Sequence, residues 1–245
     1  RDYLGVGAAL TSITALSTGH SNETYRLEGI NRILRMPPSK EGLLPPYDMA
    51  AQHAVLDAMG RHPDGPPVPK VYELCTDGAL IGDPFFIMEC LEGEAFEYVT
   101  PEWVKALPEA ARDAMCAQWI GAVAKVHRLP VDAMPAPARS VVQEAQHWLE
   151  VARGAEASQD LVAVLEDLVA RPPRPSGPPC PIHGDPKHGN TLWNRDGHML
   201  ALLDWEMAGI SDPLLDLGYV LQFNDLGEAA LCSARISLAL RVAPV

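Results

Sequence analysis

Pro181-Ile182-His183-Gly184-Asp185-Pro186-Lys187-His188-Gly189-Asn190-Thr191-Leu192-Trp193 is the most informative stretch of this chain; Leu202-Leu203-Asp204-Trp205-Glu206 and Asp212-Pro213-Leu214-Leu215-Asp216 follow it closely. Four polar residues, His183, Asp185, Lys187 and Asn190, crowd the loop, and a short apolar strand over 191–193 begins at once. The turn signal Arg195-Asp196-Gly197 leads into a second apolar strand over 199–203 that ends at Asp204. Such a hairpin brings Asn190 and Asp204 to the same end. Both offer hard oxygen ligands of the kind Mg²⁺ takes, with phosphate oxygens free to complete its shell. Asp185 is then placed to accept a proton from a hydroxyl nucleophile. A metal clamp, an aligned base and little covalent chemistry are what phosphoryl transfer requires.

The rest of the chain supplies a frame. Its 245 residues suffice for one large domain or two small ones, and 47% hydrophobic with 21% charged residues is ordinary globular composition. Nineteen basic against 32 acidic residues give a formal net charge of −13. No basic block occurs, which disfavours a nucleic-acid partner, and no apolar run is long enough to span a membrane. The five cysteines are scattered without a C-x-x-C pair, as expected for reduced thiols in the cytoplasm.

Short β-rich runs at 12–16, 24–27 and 33–36, punctuated by Gly19 and Gly29, read as an antiparallel meander. Residues 48–59 read as a helix, and 68–74 and 85–91 as two further strands around the Asp77-Gly78 turn. Beyond residue 91 the pattern is helical. Met115, Trp119, Val123 and Val126 form one face of a helix over Glu109–Arg128, and Leu161, Val164, Leu165 and Leu168 repeat the spacing. The prolines between 172 and 181 are too dense for regular structure. The expectation is therefore an α+β chain: a β-rich N-lobe with one helix over 1–91 and a mainly helical C-lobe over 92–245, with an active site between them.

His183-x-Asp185-x-x-x-x-Asn190 followed by Asp204 resembles the catalytic and metal loops of the protein-kinase-like superfamily. His-Gly-Asp, and Asp-Trp-Glu in place of Asp-Phe-Gly, are similar to the aminoglycoside phosphotransferase and choline kinase branch. The text most resembles kinase-like domains found alone in bacteria or fused to acyl-CoA dehydrogenases. Gly19-His20-Ser21-Asn22, Ile33-Leu34-Arg35-x-Pro37-Pro38 and Asp212-Pro213-x-x-Asp216 also match.

The resemblance implies a bilobal kinase-like fold and transfer of the γ-phosphoryl group of ATP or GTP to a hydroxyl of a small molecule. Asp185 is the implied base and Lys187 a γ-phosphate contact. Asn190 and Asp204 are the implied Mg²⁺ ligands, and Ser21 and Asn22 the phosphate-covering loop. Arg35 stands where the superfamily has its phosphate-holding lysine, and Gln52 or His53 where its helix glutamate lies, so the usual ion pair is reduced to a hydrogen bond. Glu89 to Leu91 would bind the purine through backbone groups. Relatives carry further helices after the Asp212–Asp216 motif, so the C-terminal helices that wall the acceptor pocket are expected to be missing here. Aminoglycosides, macrolides, choline-like amines, sugars and hydroxyacyl thioesters are all acceptors on similar scaffolds.

Competing motifs are weaker. Gly184-x-x-x-x-Gly189-Asn190-Thr191 lacks the lysine of a P-loop and places Asp185 in the anion cradle. Cys180, His183 and His188 have no second ligand pair at zinc-finger spacing, and His183 reads better as a residue bracing the loop. Asp212 and Asp216 read as structural carboxylates. The alternative to an enzyme is a catalytically weak nucleotide-binding or interaction module of the same fold, favoured by Gln52.

Overall fold

β-branched and aromatic residues at two-residue spacing build the first of two units in the computed structural model, which describes residues 4–5, 9–16, 22–39, 47–97 and 99–222. That unit comprises Arg1–Asp57 and Pro69–Leu91; the second comprises Ala58–Val68 and Glu92–Val245. The units part after Leu91, and residues 58–68 sit with the second.

Five strands, β1 (Ser12–Ala15), β2 (Glu23–Glu28), β3 (Arg32–Met36), β4 (Val71–Cys75) and β5 (Phe85–Glu89), form an antiparallel sheet in the order β1-β2-β3-β5-β4. Gly29 opens the tight β2–β3 turn at φ +89, and a Cβ there would lie 2.0 Å from the Ala9 carbonyl oxygen, so only glycine fits. The helix α1 (Met49–Arg61) follows β3, capped where Asp48 Oδ1 accepts from the Ala51 N–H at 2.9 Å.

Phe85-Phe86-Ile87-Met88 of β5 is apolar on both faces because β5 lies inside the sheet and both faces are covered. Phe85 and Ile87 join Leu10, Leu27 and Cys75 in one cluster. Phe86 meets the His53 ring of α1 edge-on at 5.9 Å. Each such side chain contributes about 1.5–3 kcal/mol by leaving water.

The second unit holds α2 (Glu102–Ala106), α3 (Glu109–Arg128), α4 (Val141–Gly154), α5 (Gln159–Ala170) and α6 (Leu214–Gln222). It also has two small antiparallel ribbons. One pairs β6 (Cys180–Ile182) with β9 (Gly209–Ser211); the other pairs β7 (Thr191–Trp193) with β8 (Met199–Leu202). Met115, Trp119 and Val123 of α3 pack with Val104, Phe96, Trp193 and Val220 in the core. α4 starts with a full capping box: Ser140 Oγ accepts from the Gln143 N–H, and Gln143 Oε1 accepts from the Ser140 N–H.

Two expectations are corrected. Pro181 lies in a strand, because a three-residue edge ribbon tolerates a residue without an N–H donor. Cys75, Cys90 and Cys180 stand outside any disulfide, whereas Cys116 is disulfide-bonded, against the expectation of reduced thiols throughout. The helical spacing of Leu161, Val164, Leu165 and Leu168 is realised in α5, no residue of which is buried.

Candidate active site

β6 and β7 flank the His183–Asn190 loop, and Asp216 anchors its start. One Asp216 oxygen accepts from the Gly184 N–H at 2.8 Å; the other accepts from the His183 N–H at 2.9 Å and lies 2.8 Å from His127 Nε2. Asp216 is fully buried, so these bonds are strong and their loss would leave an uncompensated carboxylate. His183 is equally buried. Its Nε2 lies 2.9 Å from the Leu203 carbonyl oxygen and its Nδ1 accepts from the Asp185 N–H at 3.2 Å. Burial holds its pKa below the ordinary imidazole range, which suits a neutral brace.

Gly184 takes φ +88, and a Cβ there would sit 2.2 Å from the Met207 carbonyl oxygen. Farther along, Trp119 Nε1 donates to the Pro186 carbonyl at 2.8 Å, and His188 Nε2 lies 2.7 Å from the Glu97 carbonyl oxygen. The loop is thus fixed at both ends and in the middle by core residues.

The polar side chains converge on Asp185. Asn190 Nδ2 donates to the Asp185 backbone carbonyl at 2.8 Å and to Asp185 Oδ2 at 3.0 Å. Lys187 Nζ lies 3.4 Å from Asp185 Oδ2 and 3.4 Å from Glu97 Oε1. Asp185 Oδ1 is buried without a hydrogen-bond partner. Burial pushes the Asp185 pKa up to about 6; Lys187 and Asn190 oppose the shift and Asp204 adds to it. Burial also works against the Lys187 charge, but Asp185 and Glu97 outweigh it and hold that pKa above the ordinary value.

The β7–β8 hairpin extends one step beyond its strands, where the Leu203 N–H donates to the Asn190 carbonyl at 2.7 Å. Asp204 follows immediately in a left-handed conformation, φ +66 and ψ +66, that turns the chain out of β8 into a short 3₁₀ turn over Trp205–Met207. A non-glycine residue in this region is strained, and Asp tolerates it better than most. Because Asn190 spends its amide nitrogen on Asp185, its Oδ1 is the atom left for a ligand. An amide oxygen and one carboxylate fit Mg²⁺, which retains water and takes phosphate oxygens rather than a full protein cage. Accordingly, no group of three His, Cys, Asp or Glu residues among the described residues forms such a cage.

In the first unit, Arg35 Nε donates to Gln52 Oε1 at 3.0 Å across β3 and α1. Asn22 is buried; Ser21 lies outside the described residues. The Glu89 N–H is already donated to the Lys70 carbonyl at 2.8 Å, so purine contacts at 89–91 would draw on other backbone groups, and Leu91 is half-buried. Asp212 accepts from the Ser176 N–H and hydroxyl at 2.6 Å each and from the Leu214 N–H at 2.9 Å, bracing the start of α6.

Glu97 and Tyr219 have no motif to announce them. The Tyr219 hydroxyl is pushed up to about 12 by burial, with Asp185 next in effect. Its position one helical turn after Asp216 is the only sequence signal that it faces the same loop.

The antiparallel sheet with one helix, the helical second unit and this loop together define a kinase-like phosphotransferase fold. Residues 12–240 match the phosphotransferase enzyme family APH, and the chain belongs to that family. Mouse acyl-CoA dehydrogenase family member 10 is 28% identical over 211 residues, covering 82% of this chain and 19% of that protein. The chain spans less than a third of the length of the curated relatives it matches. Among solved structures, the GDP complex of aminoglycoside 2'-phosphotransferase-IIIa has a TM-score of 0.66 at 16% identity, covering 98% of this chain and 83% of the other. The ADP and streptomycin complex of APH(3'')-Id from Streptomyces rimosus has a TM-score of 0.63 at 14% identity, covering 98% and 86%. No helix among the described residues is long and apolar enough to cross a membrane.

Proposed function

We propose that the protein transfers the γ-phosphoryl group of ATP or GTP to a hydroxyl of a small molecule, with Asp185 as the base. The observation that carries this reading is the asymmetric Asp185 carboxylate. Oδ2 is held by Asn190 and Lys187, while Oδ1 is buried and unpartnered beside them. A base needs one oxygen fixed and one free to receive a proton, at a pKa near working pH. Asp185 Oδ1 takes the acceptor hydroxyl's proton as that oxygen bonds to phosphorus. The bond from phosphorus to its bridging oxygen breaks, and the electron pair leaves with the nucleoside diphosphate.

Asn190 Oδ1 and Asp204 would hold Mg²⁺, which supplies charge neutralisation on the phosphate oxygens. Lys187 stabilises the transferring group, and Arg35, with Ser21 and Asn22, contacts phosphates. Structures of similar fold in complex with GDP, or with ADP and streptomycin, support a nucleotide and a small hydroxyl compound as the two substrates. Incubation with MgATP or MgGTP and a panel of aminoglycosides, choline-like amines, sugars and hydroxyacyl thioesters, with products read by mass spectrometry, tests the reading. A phosphorylated product from the wild type and none from Asp185→Asn is expected; equal product from both would refute the role of Asp185.

The hydrogen bond of Arg35 to the uncharged Gln52 amide, in place of an ion pair, favours a second reading, a nucleotide-binding module with little turnover. It predicts nucleotide affinity with no phosphorylated product from any acceptor.

A further inference from the structure

We infer that Glu97 is a positioning residue that sets the place of the Lys187 ammonium at the phosphoryl-transfer site; this rests on the reading of Asp185 and Lys187 given above. Glu97 grips the loop in three ways. Its backbone carbonyl oxygen lies 2.7 Å from His188 Nε2. Its Cβ and Cγ lie against Gly189, where an added Cβ would come within 2.9 Å of both. Its Oε1 lies 3.4 Å from Lys187 Nζ, the same distance that separates Nζ from Asp185 Oδ2.

A flexible four-carbon side chain held by one carboxylate would collapse onto it, and Lys187 would then neutralise the base it adjoins. Two carboxylates at equal distance compete for the ammonium, and neither ion pair closes below 3.4 Å. The Lys187 and Glu97 side chains are 24% and 22% exposed, sheltered enough for the charges to act strongly on each other. The Asp204 charge acts on Asp185, and the charges of Asp185 and Lys187 act on Tyr219, so the ammonium is the positive charge among these groups. The hydrogen bond from His188 to the Glu97 carbonyl ties the Glu97 backbone to the loop, and the Gly189 contact seats its side chain there.

Two substitutions separate position from structure. Glu97→Gln keeps the shape and removes the charge; Glu97→Asp keeps the charge and shortens the reach. Mg²⁺-dependent hydrolysis of ATP and GTP is followed for each, and for Lys187→Met with and without Glu97→Gln. Calorimetric titration with ATP and with ADP provides a readout independent of turnover. The expected result is a roughly 10- to 100-fold fall in kcat for Glu97→Gln together with weaker ATP binding, partial recovery in Glu97→Asp, and no further loss in the Lys187→Met background. The preference for ATP over ADP falls in Glu97→Gln to that of Lys187→Met, while ADP affinity is preserved.

The inference is overturned if Glu97→Gln lowers activity equally with and without Lys187, because the residue would then act only through the fold of the loop. It is also overturned if neither kcat nor the ATP preference moves, or if Lys187→Met leaves that preference unchanged. An inactive Asp185→Asn beside a fully active Glu97→Gln rejects the inference alone. A fully active Asp185→Asn rejects the phosphotransfer reading beneath it.

Discussion

Replacing Asp185 by Asn removes a carboxylate that the fold buries at an energetic penalty. In the folded chain its pKa rises from 3.8 to about 6, chiefly through burial. A group whose folded pKa is raised contributes stability that is complete below its unfolded pKa and is lost as pH climbs through the folded value. Here that window runs from near 4 to somewhat above 6. A shift of about two units corresponds to about 3 kcal/mol, at roughly 1.36 kcal/mol per unit.

Asn carries no titrating proton and escapes this loss, and the opposing effect of Lys187 is already contained in the shift. The net gain at pH 8 relative to pH 4 is therefore about 2–3 kcal/mol, or about 4–12 °C in Tm for a chain of this size. Thermal unfolding of wild type and Asp185→Asn, followed across this pH range, measures the difference directly. The variant's advantage should grow with pH through the region near 6. A difference that stays constant with pH, or that favours the wild type more as pH rises, would refute the claim that burial strains the ionised base. A residue stabilising when neutralised yet needed for turnover is the expected signature of a functional site.

Asn190→Ala and Asp204→Ala should abolish Mg²⁺-dependent turnover while circular dichroism shows an unchanged fold. Arg35→Ala should weaken nucleotide binding by roughly 1.5–3 kcal/mol by calorimetry, the value of a charge-assisted contact, whereas Gln52→Ala should lose much less and Gln52→Glu should be neutral or mildly favourable. Gly184→Ala should destabilise the second unit by about 2–4 kcal/mol in urea unfolding, since φ +88 and the Met207 carbonyl at 2.2 Å leave no room for a methyl group.

Long-period helices and short hairpins were legible in the sequence; pairings across distance were not. α3 could be read to its ends because its apolar face repeats over twenty residues and prolines stand on both sides. The β7–β8 hairpin announced itself by Asp196-Gly197 between two apolar runs, and with it the convergence of Asn190 and Asp204. α4 has a capping-box signature in Ser140-x-x-Gln143 but a weak apolar period, because its apolar positions are broken by Gln146 and His147. β6 and β9 are three residues each, pair across nearly thirty residues, and include a proline, so no local pattern reveals them. Asp216 reads from the sequence only as a structural carboxylate; that it braces His183 and Gly184 emerges only from the fold. Glu97 was invisible for a different reason: its reach to Lys187 and Gly189 arises only when the segment after β5 folds beside the loop. α5 shows the limit of periodicity, which identifies an apolar face without saying what covers it.

Transfer of label from γ-³²P-ATP or γ-³²P-GTP to a hydroxyl acceptor, by wild type and by Asp185→Asn across pH 5 to 8, decides whether Asp185 is the base. The wild type should show Mg²⁺-dependent transfer that falls away below about pH 6, where Asp185 is protonated. Asp185→Asn should be slower by about 10²–10⁴ and lack that acid limb. Transfer by Asp185→Asn within a few-fold of wild type, with the same acid limb, would contradict the role of Asp185 as base.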